Sequence, residues 1–176
     1  MDKINLDDYI RKVPNFPKEG VLFYDITSIL TTPPAFRYCI ERMLEIYRDK
    51  QIDAVAAIEA RGFLFAAPFA CSFGIPLILV RKKGKLPRKT LRKAFELEYT
   101  SSEIEIHPED VKKDSRILLI DDLIATGGTL SAARELLSEA GAETPEIFGV
   151  VGLPFMHYEE KLKTATITTL IEYYSE

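Results

Sequence analysis

The chain has 176 residues, 47% of them hydrophobic and 28% charged, with a formal net charge of −4. That composition suits one globular domain with a real core and excludes disordered, collagen-like and disulfide-scaffold classes. The acidic balance gives no general attraction for nucleic acid or anionic lipid, and no apolar run approaches a membrane span, so neither is expected as a partner.

In chain order, residues 5–12 are compatible with a short helix. Pro14 and Pro17 then impose an extended stretch, since proline fixes its own φ and pushes its predecessor out of the helical region. Residues 34–49 have helical spacing, with Phe36, Ile40, Met43, Leu44 and Tyr47 on one side. Residues 52–58 form an apolar run expected as a buried strand. Gly62 follows, and residues 63–73 read as a helix packed through small residues and ended by Gly74 and Pro76. Residues 76–80 are the next expected strand. Cys39 and Cys71 lie among apolar neighbours and form no metal pattern, so both are expected as buried thiols in a reducing compartment. The polar start, residues 1–8, is unlike a signal peptide, and a cytoplasmic location is expected.

Residues 81–93 carry Arg81, Lys82, Lys83, Lys85, Arg88, Lys89, Arg92 and Lys93 and no acid. Such segregation suits a lid closing over a polyanion, although for Arg88, Lys89, Arg92 and Lys93 a solvated basic loop is the preferred reading. Residues 96–107 read as two short strands turning at Ser101 and Ser102. The clearest strand is 116–120, followed by a loop from Asp121 to Gly128, a helix from Thr129 to Ala140 and Gly141 as its stop. Residues 146–151 and 165–171 complete the strands. Apolar strands alternating with helices indicate an α/β protein with a mainly parallel sheet flanked by helices, whose ligands bind beyond the strands' carboxyl ends.

The loop after the best strand is the richest segment. Asp121 and Asp122 end a buried strand, and Ala125, Thr126, Gly127, Gly128 and Thr129 lead into a helix. Paired glycines let the backbone approach a ligand, and free N–H groups at a helix start attract phosphate. The two carboxylates would repel that phosphate if they faced it. They suit a ribose diol or a magnesium ion better, so the segment reads as a ribose-5-phosphate cradle. It is neither a Walker loop nor a GxGxxG turn. The plain alternative is a strand–turn–helix with Thr129 as a cap and exposed aspartates.

With these residues in view, residues 117–129 resemble the signature for phosphoribosyl pyrophosphate (PRPP) in the type I phosphoribosyltransferases, and the Ala-Thr-Gly-Gly-Thr ending resembles that family's adenine branch. Residues 17–23 resemble the branch's adenine loop, residues 59–63 its pyrophosphate loop, and residues 81–87 with 97–99 its flexible lid. The motifs run in family order over residues 14–155. The resemblance implies a single domain over residues 1–176, with a small N-terminal hood near 5–30 and a lid near 82–105. It implies transfer of the 5-phosphoribosyl group from PRPP to adenine, giving AMP and pyrophosphate in purine salvage, with Mg²⁺ as cofactor and a homodimer as the usual assembly.

By the same resemblance, Phe23 stacks on adenine, Leu123 covers its other face and the Leu22 backbone reads its edge. Arg61 serves base and pyrophosphate, with Glu59, Ala60, Arg81, Lys82 and Lys85 on the pyrophosphate side. Glu98 handles the purine proton. No direct protein ligand to the metal is assigned. A non-proline cis peptide is implied near Glu59–Arg61. The family often has arginine after the stacking phenylalanine, where this chain has Tyr24. His107 and His157 receive no role, and no Ser-His-Asp or Cys-His nucleophile is supported. The competing readings are a non-catalytic PRPP sensor, an enzyme for a 6-oxo purine, and a structural protein with a chance phosphate loop.

Overall fold

The computed structural model describes residues 4–96 and 101–175. The N-terminal part is a hood. A single 3-10 turn at Leu6–Tyr9 leads into β1 (Arg11–Pro14), which pairs antiparallel with β2 (Leu22–Asp25). The helix expected over 5–12 is thus shortened to one turn, because Arg11 onward is used as a strand. Two helices follow, α1 (Thr27–Leu30) and α2 (Pro33–Tyr47), the second begun by proline at its first positions, where no N–H is needed. Helix α2 buries Ala35, Cys39, Met43 and Tyr47, with Phe36, Ile40 and Leu44 partly buried beside them.

The main sheet has seven strands in the order β5-β6-β4-β3-β7-β8-β9. Strands β3 (Ala54–Ile58), β4 (Leu77–Lys82), β7 (Arg116–Ile124), β8 (Glu143–Gly152) and β9 (Thr166–Glu172) are parallel. The hairpin β5 (Leu91–Glu96) and β6 (Ser101–Ile106) joins antiparallel to β4. Ser101 and Ser102 therefore lie at the start of a strand and not at a turn; the hairpin is shifted toward the basic run. Helices α2 and α3 (Gly62–Phe73) cover one face of the sheet, and α4 (Gly128–Glu139) covers the other, with the short α5 (Tyr158–Lys161) beside it.

Helix α3 packs through Phe65 and Phe69 as well as through its alanines. Cys39 is buried as expected, but Cys71 is exposed, because it lies on the side of α3 turned from the sheet. Among the described residues no helix is long and apolar enough to cross a membrane.

Strand β3 leads through α3 to β4 on one side, while β7 lies on its other side. The chain thus leaves the carboxyl ends of β3 and β7 in diverging directions. In an open parallel sheet that reversal opens a crevice, the usual place for a ligand.

Candidate active site

The crevice collects residues from both strand ends. Beyond β3 come Glu59, Ala60 and Arg61, with a cis peptide between Glu59 and Ala60. Arg61 immediately precedes α3, which starts hard against β7. A Cβ on Gly62 would sit 3.0 Å from the Ile120 carbonyl oxygen and 3.3 Å from Asp121 Cα, so any side chain there would push the β7 backbone back by a few tenths of an ångström.

Strand β7 runs on to Ile124, four residues past the expected end, because its ladder with β8 continues to the pair Ile124–Gly152. The two aspartates therefore stand in a strand. Side-chain alternation slips across them. Leu118 and Ile120 share one core cluster with Leu123 and Ala125, while Ile117, Leu119 and Ile124 belong to the other. The local geometry fits this slip, since the Asp122 N–H donates to Asp121 Oδ1 at 2.9 Å.

The acids are not equivalent. Asp122 is buried and accepts Arg61 Nε at 2.6 Å, while the Arg61 side chain is itself half-exposed. Burial pushes the Asp121 carboxyl well above the usual carboxylate range, and the adjacent Asp122 charge adds to that, with Arg61 opposing it. Two carboxyl groups side by side at a strand end can accept hydrogen bonds from neutral hydroxyls.

The loop is short. Gly127, with φ of 73°, precedes α4, and no side chain caps the helix. The helix begins at Gly128, one residue before the expected Thr129, so Thr129 lies inside the first turn instead of capping it. The uncapped first-turn amides and the positive end of the helix make an anion site.

A cavity of about 480 Å³ opens between hood and sheet. Its walls include Leu22, Phe23, Arg61 and Leu123, all singled out in the sequence, and Ala125 of the phosphate loop. They also include Leu153, Phe155 and Met156, which carry no motif; their only signal is that they follow the carboxyl end of β8. Phe16 meets Phe23 edge-on at 5.0 Å. Pro14, opposite Leu22 in the β1–β2 ladder, has no N–H to offer the Leu22 backbone. Tyr24 is buried, with its ring stacked on Tyr173.

The basic segment is mostly neutralised. Arg81 donates to Glu59 at 2.9 Å, and the Lys82 N–H donates to the same carboxylate oxygen at 3.0 Å. Glu59 thereby ties β3 to β4. Lys83 pairs with Glu103, Arg88 with Glu109 and Lys93 with Glu135. Among the described residues, Lys82, Lys85 and Lys89 form no ion pair. Glu98, with Leu97 and Tyr99, lies outside the described residues.

Glu105 organises the base of this segment. Its fully buried carboxylate accepts from the Lys85 and Leu86 amides, each at 2.9 Å, from Thr90 Oγ1 and from Arg92 Nε. Burial alone would raise its pKa, but the Leu86 and Lys85 amides, Thr90 and Arg92 together hold it below the usual range. Its stabilisation is therefore full above the unfolded-state pKa and lost as pH falls through the folded one. Glu105→Gln is expected to cost about 2 kcal/mol at neutral pH, as buried donors lose a charged acceptor. The variant should then lose less further stability on acidification than wild type does, as read from melting temperatures between pH 7 and pH 3. Parallel acid curves for the two proteins would refute this.

The phosphoribosyl transferase domain model matches residues 25–168. An adenine phosphoribosyltransferase of Treponema denticola is 59% identical over 99% of this chain and 92% of its own length. Among solved structures, an adenine phosphoribosyltransferase of Thermoanaerobacter pseudethanolicus superposes with a TM-score of 0.92 at 40% identity, covering 96% of this chain and 98% of that one. The Saccharomyces cerevisiae enzyme, complexed with adenine and an imino-altritol bisphosphate, gives 0.88 at 36% identity over 94% and 96% of the two chains.

Proposed function

From the premise that the chain belongs to the phosphoribosyl transferase family, among its adenine phosphoribosyltransferases, we propose how its residues divide the reaction. The enzyme transfers the 5-phosphoribosyl group of PRPP to adenine, forming AMP and pyrophosphate in purine salvage.

Adenine occupies the cavity between Phe23 and Leu123, with the Leu22 backbone at its edge. A main-chain N–H beside a C=O matches adenine N1 and N6 and mismatches a 6-oxo purine, which would leave polar groups unpaired in a dry site. The 5-phosphate sits on the amides of residues 125–129, helped by the Thr126 and Thr129 hydroxyls. Asp121 and Asp122 hold the ribose diol and lend negative charge to a sugar that becomes cationic as the C1–pyrophosphate bond breaks. Arg61, Lys82 and Lys85 stabilise the departing pyrophosphate, with the backbone at Glu59–Ala60 beside it. Arg81 acts through its pair with Glu59. Glu98 remains the candidate for the purine proton.

Mg²⁺ fits this donor set as an ion carried in by PRPP. Among the described residues no three His, Cys, Asp or Glu side chains converge, and Mg²⁺ is commonly held by substrate phosphates and water. The chemistry it supplies when bound is neutralisation of charge on the diphosphate.

The chain works as one domain, with hood and lid as parts of it, and as a homodimer. Leu79 supports the dimer: it lies on an interior strand of the sheet yet is 36% exposed, and Leu64 on α3 is 44% exposed. A second copy would cover them. An exposed free thiol at Cys71 suits a reducing compartment, in keeping with the cytoplasm.

The observation that carries the assignment is the opening of one cavity against Phe23, Arg61, Leu123 and Ala125 together. A purine panel tests it. With PRPP and Mg²⁺, adenine alone is expected to yield nucleotide, seen by chromatography, while hypoxanthine, guanine and xanthine yield none. A 6-oxo nucleotide would overturn the base pocket. No product with any base, despite PRPP binding, would turn the reading to a sensor.

A further inference from the structure

The hairpin β1–β2 that carries Leu22 and Phe23 shares no ladder bond with the seven-stranded sheet. Side-chain contacts must therefore set its height over the cavity. Phe23 and Tyr24 both border the cavity, and the ring face of Tyr24 lies on Tyr173, with centroids 4.0 Å apart and planes 18° from parallel. The Tyr24 hydroxyl donates to the Ser175 carbonyl at 3.3 Å.

Tyr173 is itself fixed from both sides. Its N–H donates to the Gly152 carbonyl at 3.0 Å, so its backbone belongs to the end of the main sheet. Its hydroxyl donates to Asp7 Oδ1 at 2.5 Å. The Lys12 ammonium stands 5.1 Å from its ring centroid and pairs with Asp7 at 2.8 Å. One side chain just past β9 thus touches the 3-10 turn, β1 and β2.

We infer that Tyr173 is a positioning residue for base recognition. It fixes the depth and tilt of β2, so that the Phe23 ring and the Leu22 backbone meet the purine in register. The inference rests on the proposed base site under Phe23. It goes beyond it in making the C-terminal segment a determinant of adenine affinity. Because the contact reaches only the hood, its loss should be felt by the base and not by PRPP.

The test compares full-length wild type, Tyr173→Leu, Tyr173→Phe and Asp7→Ala, with thermal melts to verify folding. Wild-type AMP formation separates the two claims, since its absence would sink the base-site reading itself. Tyr173→Leu is expected to raise KM for adenine about tenfold, a stacking contact and some alignment being lost, with KM for PRPP unchanged within about twofold. Tyr173→Phe keeps the ring and should restore adenine KM to within about threefold of wild type. Asp7→Ala removes the anchor from a solvent-facing position and should raise adenine KM about threefold, again sparing PRPP. Equal rises for both substrates, or an unchanged adenine KM in the folded variants, would overturn the inference. If Tyr173→Leu does not fold, Asp7→Ala decides alone: a selective rise supports the role and no change overturns it.

Discussion

Replacing Arg61 by alanine is expected to lower kcat/KM for AMP formation by about 10²- to 10³-fold, the usual cost of removing one electrostatic group from a reacting centre. Two losses combine. On the proposed role of Arg61 the guanidinium no longer meets the departing pyrophosphate, and the buried Asp122 loses the donor that now sits 2.6 Å away. That second loss leaves an uncompensated carboxylate beside Asp121, whose own ionisation is already disfavoured by burial. Arg61→Lys should recover part of the rate but remain about tenfold below wild type, because an ammonium cannot fork onto two acceptors. Steady-state kinetics with both substrates varied would check this. An alanine variant within about threefold of wild type would remove Arg61 from the mechanism, since true electrostatic partners cost far more.

Gly127→Val is the second large effect, and it should appear in PRPP binding. The residue has φ of 73°, and a Cβ there would lie 3.2 Å from Tyr158 Cβ and 3.3 Å from Leu162. The left-handed conformation alone costs a side chain about 1–2 kcal/mol, and a branched one more. The backbone would have to shift where it presents its amides to the 5-phosphate. Weakening of PRPP binding by about 100-fold is expected by calorimetry, given the sensitivity of such sites to about 1 Å of displacement. Gly74→Ala is the control. Gly74 also has positive φ, but nothing lies within 4 Å of its would-be Cβ, and it is far from the cradle at the end of α3. It should lower the melting temperature and leave PRPP affinity unchanged. If Gly127→Val binds PRPP normally, the loop is not the phosphate site.

Much of this arrangement is legible in the sequence, and what is not has physical causes. Apolar runs marked β3, β4, β7 and β8, because strands buried on both faces leave continuous hydrophobic stretches. The end of β7 was misplaced because Asp121 and Asp122 look like loop residues. What extends the strand is non-local: β8 continues its ladder, and Gly149 leaves room for Ile124, which would otherwise stand 2.7 Å from a Cβ. The hairpin register differs for a similar reason, since β6 pairs with β4 and β5 pairs in turn with β6, which draws basic residues into β5. In the cavity wall, Leu22, Phe23, Arg61 and Leu123 are marked in the sequence by spaced motifs. The Arg61–Asp122 pair was not, because joining residues so distant in sequence requires the strand order. Leu153, Phe155 and Met156 were missed because apolar side chains after a strand look like any core. The eight cations of residues 81–93 suggest a lid over a polyanion, with Arg88, Lys89, Arg92 and Lys93 as a solvated basic surface; five of the eight in fact have acidic partners, which no linear charge count reveals.

The separation of the two sheets has a consequence for how such a chain changes over generations. Substitutions in residues 11–25 alter the ceiling of the cavity without disturbing a single ladder bond of the seven-stranded sheet. On the proposed division of roles, substitutions there would be felt first in which base is accepted, while those at the ends of β3 and β7 would be felt in phosphoribosyl transfer and, through Arg61 and Leu123, at the base as well. The two sheets thus leave the roof of the cavity free to vary in its own backbone pairing, while its floor is held by the main ladder.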